Sequence, residues 1–90
     1  MVAVAALERA DKKALWIGLE RELSDGGAPE AIHGVLFWGA KQMFLSAREG
    51  SDIFARSQRY ISELAELPHE ARRRNFPLDY ALLRFALSVA

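Results

Sequence analysis

Ninety residues with twelve basic and twelve acidic side chains set the first bounds. A chain this short makes one domain, residues 1–90, and zero net charge argues against a general nucleic-acid binder, which carries a basic excess. The absence of cysteine excludes a disulfide framework and a thiolate metal site.

Residues 2–10 are short, alanine-rich and apolar, and predict a helix that must dock on something, because so short a helix is marginal alone. Their lack of a basic start and a long apolar run argues against a secretory signal, and the expected compartment is the cytoplasm. Asp11 reads as the N-cap of a second helix over Lys12–Ser24, with Leu15, Leu19 and Leu23 on one stripe and Trp16 widening it. Asp25-Gly26-Gly27 stops that helix, since glycine takes the left-handed backbone at little cost. Pro29 then opens a third helix, in the first turn, where its missing N–H is harmless. So short a link predicts that the second and third helices are antiparallel neighbours.

Residues 29–47 carry apolar side chains on most sides: Ile32, Val35, Leu36, Phe37, Trp38, Ala40, Met43, Phe44 and Leu45. A helix so patterned is expected to be buried and central. If Trp38 or Phe44 is fully buried, its replacement by alanine should cost roughly 3–5 kcal/mol. His33, Lys41 and Gln42 interrupt the run too often for a membrane span. Gly34 and Gly39 each weaken the helix by about 1 kcal/mol relative to alanine, which is explained if they admit close neighbours.

Gly50-Ser51-Asp52 ends this helix and caps the next, which continues through Tyr60, Ile61, Leu64 and Leu67. Pro68 should break or kink it. Asn75-Phe76-Pro77 separates a last helix over residues 78–89, with Leu78, Leu82, Phe85 and Val89 on one face and Tyr80, Leu83 and Leu87 toward another. The predicted fold is all-α: a small bundle of five helices, or six if Pro68 makes a full break, around a buried central helix.

Candidate chemistry is sparse. Glu30 and His33 have the E-x-x-H spacing of di-iron bundles, but no second pair exists, so no metal is expected. His69 lacks a nucleophile or partner histidine in its neighbourhood, and no glycine-rich phosphate loop is present. The expectation is therefore a non-enzyme with no catalytic residue and no cofactor. Arg72-Arg73-Arg74 is the one run of charge; with Arg59 it could contact DNA or another anion, or it could offset the helix dipole and stay solvated. The aromatic and leucine surplus points to a protein interface. Counting helical faces selects Trp16, Trp38, Tyr80, Leu83 and Leu87 as the most exposed apolar residues and the interface candidates.

Two stretches resemble the C-terminal, collar domain of the bacterial DNA polymerase III delta subunit, a clamp-loader component. Residues 6–47, ALERADKKALWIGLERELSDGGAPEAIHGVLFWGAKQMFLSA, are similar to its first three helices in order: a short helix, a basic link, a leucine-striped helix, a glycine stop and a Pro-Glu start to "IHGVLFW". Residues 62–88, SELAELPHEARRRNFPLDYALLRFALS, resemble its closing pair. The link between them looks shorter than in typical members, and the AAA+-like modules that precede the collar are not in this sequence. Met1 stands about where the collar would begin, so an isolated domain or a short stand-alone relative is expected. The resemblance implies a non-catalytic helical scaffold that packs beside other clamp-loader subunits, supports sliding-clamp loading in DNA replication, meets DNA only indirectly or weakly, and does not touch a membrane. The alternative is a small helical module that contacts nucleic acid through its arginines.

Overall fold

The structure, a computed structural model, describes residues 2–89 of the chain. Met1 and Ala90, the two ends of the expected domain, lie outside the described residues. Among those residues there are five helices and no strand: α1 (Val2–Glu8), α2 (Lys12–Ser24), α3 (Pro29–Ser46), α4 (Asp52–Arg74) and α5 (Leu78–Ser88). The all-α bundle is thus the fold.

Local chemistry sets most of the helix ends. The Asp11 carboxylate accepts from the Ala14 N–H at 3.0 Å, and the Ser51 hydroxyl accepts from the Phe54 N–H at 3.1 Å, each satisfying an N–H that the helix leaves open. Gly26 ends α2 at φ +90°, and the following Gly27 N–H returns to the Glu22 carbonyl at 2.9 Å. A side chain on Gly27 would meet that same carbonyl at 2.8 Å, so the closing turn requires glycine there. Asn75 closes α4 in the left-handed conformation, with the Phe76 N–H bonded to the Ala71 carbonyl at 2.8 Å.

Of the break or kink expected at Pro68, the break does not occur: α4 continues through it as one helix. The reason lies on another helix. Proline removes the N–H that would have bonded the Leu64 carbonyl four residues back. That carbonyl instead lies 2.6 Å from His33 Nε2 on α3, which donates to it. One imidazole replaces the missing backbone bond and ties α3 to α4.

The core gathers Leu7 from α1, Leu15 and Leu19 from α2, Ile32, Leu36, Ala40 and Met43 from α3, Tyr60 and Leu64 from α4, and Leu82, Phe85 and Ala86 from α5. Tyr60 and Phe85 meet edge to face with ring centroids 6.0 Å apart, a favoured aromatic geometry. α3 touches all four other helices, which makes it central.

Contrary to the expectation from the short link, α2 packs mainly on α1 and α5 and meets α3 only slightly. α1 occupies the space between them, touching both. It fits because small residues face it: a Cβ on Gly18 would sit 3.8 Å from Ala3, and a Cβ on Gly39 would sit 2.9 Å from Val4 Cγ1. The far end of α1 is held by Arg56, whose Nη2 donates to the Glu8 carbonyl at 2.6 Å.

Candidate interaction surfaces

Although α3 is central, it is not wrapped on every side. Ile32, Leu36, Gly39, Ala40 and Met43 make its buried stripe. At about 100° per residue, Ala31, Gly34, Val35, Trp38, Gln42 and Leu45 make an opposite stripe, and all six are exposed. Trp38 is 57% exposed and Leu45 74%, so the expectation of near-complete burial is corrected on this face. The apolar pattern established that α3 is greasy all round; it did not establish that one small domain has enough surface to cover it. Trp38→Ala accordingly removes mostly solvated surface, well short of a core deletion. Phe44 is half-buried and stacks on Phe54 at 4.8 Å, so it too falls short of full burial.

Gly34 makes this stripe informative. A mid-helix glycine costs about 1 kcal/mol relative to alanine. Gly39 has a reason for that cost in the approach of Val4, whereas a Cβ on Gly34 would have no neighbour within 4 Å. Nothing inside the domain calls for glycine there.

The interface candidates fall in three places. Trp38 belongs to the α3 stripe. Trp16 and Leu87 lie together where α2 meets α5, beside Lys12 and Lys13. Tyr80 packs edge to face on Phe76 at 5.0 Å, and Arg84 lies over both rings. Trp38, Tyr80 and Leu87 are exposed as expected. Trp16 and Leu83 are corrected: both are half-buried and pack against the core. Face counting missed Ile17, Val35, Leu45 and Ile53, which are more exposed than those two. The signal for Val35 and Leu45 was present, since they fall on the same turn-by-turn stripe as Trp38.

The arginines do not form one patch. Arg59 lies about 20 Å along α4 from the Arg72–Arg74 run at 1.5 Å per residue. Arg59 pairs with Glu63 at 3.9 Å, Arg74 bonds Glu70 at 2.6 Å, and Arg73 also bonds Glu70. Arg72 makes none of the described ion pairs. The hydrogen bond from Arg73, then that from Arg74, holds the Glu70 carboxyl below its ordinary range. Between α4 and α5, a shallow cleft of about 250 Å³ is lined by Leu67, Ala71, Phe76 and Phe85, with Glu63 and Glu70 balancing Arg74 and Arg84 at its rim. Such balanced charge selects no strongly anionic or cationic ligand.

His33 is committed to the Leu64 carbonyl, and its E-x-x-H partner Glu30 is exposed. His69 is exposed on α4. Among the described residues, no group of three or more histidine, aspartate or glutamate side chains is placed to hold a metal ion, and no helix is long and apolar enough to cross a membrane.

No family model, curated protein or solved structure matches this chain. The resemblance to the delta collar therefore stands on the quoted residues alone.

Proposed function

We propose that the chain is a non-catalytic helical association domain that holds other proteins through two apolar surfaces. The observation that carries this reading is the outward stripe of α3, where Val35, Trp38 and Leu45 stand in solvent around a glycine that the domain itself does not use. Exposed apolar patches on small domains mark contact sites. The second surface is the Trp16–Leu87 region of α2 and α5.

The narrower proposal is the collar of a bacterial clamp loader, in the cytoplasm. A collar subunit must hold a neighbouring subunit, and the apolar Trp16–Leu87 surface on α2 and α5 suits that contact. The mechanism would be mechanical: the bundle holds subunits together while ATP-driven changes elsewhere open the sliding clamp. Mixing the chain with purified clamp-loader subunits and following co-elution tests the proposal. The parent should co-elute, and Leu87→Glu should weaken the complex. A parent that elutes alone, or a Leu87→Glu variant that binds as the parent does, would overturn the collar reading.

A DNA contact through Arg59, Arg72, Arg73 and Arg74 has less support, because Glu63 and Glu70 already engage three of the four. Binding that weakens steeply as salt rises would favour it.

A further inference from the structure

We infer that the outward stripe of α3 pairs with the same stripe on a second copy of this chain, antiparallel and about a two-fold axis. This rests on the reading of the domain as an association module and names the occupant of one of its two surfaces, leaving the Trp16–Leu87 region for other partners. The argument is the symmetry of two charges that flank one edge of the stripe, together with the pairing of a large and a small residue on it, Trp38 and Gly34. Glu30 and Lys41 are both exposed. They lie eleven residues apart in the sequence, a little over three turns, and so within about 20° of one another on the helix. Their midpoint falls between Val35 and Leu36.

A two-fold axis there turns one α3 end for end against the other. Each Glu30 carboxylate then faces the Lys41 ammonium of the opposite copy, twice over. The same operation sets Trp38 of one copy over the Gly34 region of the other, where no side chain obstructs the indole. A two-fold contact must be self-complementary in this sense, with residue i meeting j and j meeting i. A parallel pairing would place Glu30 on Glu30 and Lys41 on Lys41. The pairing also accounts for glycine at position 34, since a larger residue would hold the two helices apart.

Sedimentation equilibrium of the isolated chain, from micromolar to millimolar, tests this with reversals of charge. The parent should form dimers. Glu30→Lys and Lys41→Glu should each weaken dimerisation about tenfold or more, because either creates two like-charge contacts. An equimolar mixture of the two variants should recover dimers, since one then carries two cations and the other two anions. Misfolded variants could not produce that recovery. Gly34→Leu, a change on an exposed helix face, should also abolish dimers while the chain stays folded by circular dichroism. A parent that is monomeric throughout, a mixture that fails to recover, or a dimer insensitive to Gly34→Leu would overturn the pairing. None of these results bears on co-elution with clamp-loader subunits or its loss in Leu87→Glu, so the two proposals fail separately.

Discussion

His33 shows how one side chain can make a disfavoured residue tolerable elsewhere. Pro68 orphans the carbonyl of Leu64, a residue that is fully buried, and His33 Nε2 donates to it. Leaving a buried acceptor without a donor costs about 1–3 kcal/mol, so His33→Ala should destabilise the domain by that amount in urea melts. In a Pro68→Ala background, the restored N–H can serve Leu64, and the cost of His33→Ala should shrink to a fraction. Equal costs in the two backgrounds would show that the histidine acts by some other route. The two glycines of α3 make a second contrast. Gly34→Ala should stabilise the isolated domain by about 1 kcal/mol, the ordinary helix-propensity gain. Gly39→Ala gains the same term but drives a Cβ to 2.9 Å from Val4 Cγ1 and 3.3 Å from Cγ2. Overpacking costs roughly 1–3 kcal/mol, and valine is stiff at χ1, so this variant should melt lower than the parent, and adding Val4→Ala should relieve it. A Gly39→Ala variant that melts higher than the parent would show that α1 does not sit where it is described.

At the scale of elements, the legible features were the local ones. The caps of α2 and α4 depend on Asp11 and Ser51, each three residues from the N–H it accepts, and both could be read along the chain. The continuity of α4 could not, because its compensation comes from 31 residues away. The open stripe of α3 was half legible: its periodicity separates two faces, but which face the neighbours cover depends on where α1 docks. The last turn of α4 belongs to this scale as well. Arg73 and Arg74 hold the Glu70 carboxyl below its ordinary value of 4.5. A group whose folded pKa is depressed contributes stability that is complete above the unfolded value and fades as pH falls through the folded one. The small advantage of the parent over Glu70→Gln should thus be constant from neutrality down to about pH 5 and disappear only in more acidic solution. Thermal melts of the two proteins across that range check it; a gap that closes near neutrality would point to a different titrating group.

For the whole molecule, one fact organises the rest. Five helices among the described residues enclose a core around the inner stripe of α3, and no sixth element is described over the outer one. Surface area explains why: a domain this small buries only about 60–65% of its unfolded surface, so a helix apolar on both sides outruns the cover its own chain supplies. The account's central claim is that another protein molecule supplies the remainder. Acrylamide quenching of Trp38 in a Trp16→Phe chain, where it is the only tryptophan, tests this most directly. The indole should be freely quenched in dilute solution and shielded at high protein concentration, where a second copy covers the stripe. Equal, rapid quenching under both conditions would contradict the claim, because the stripe would then be a surface that nothing covers.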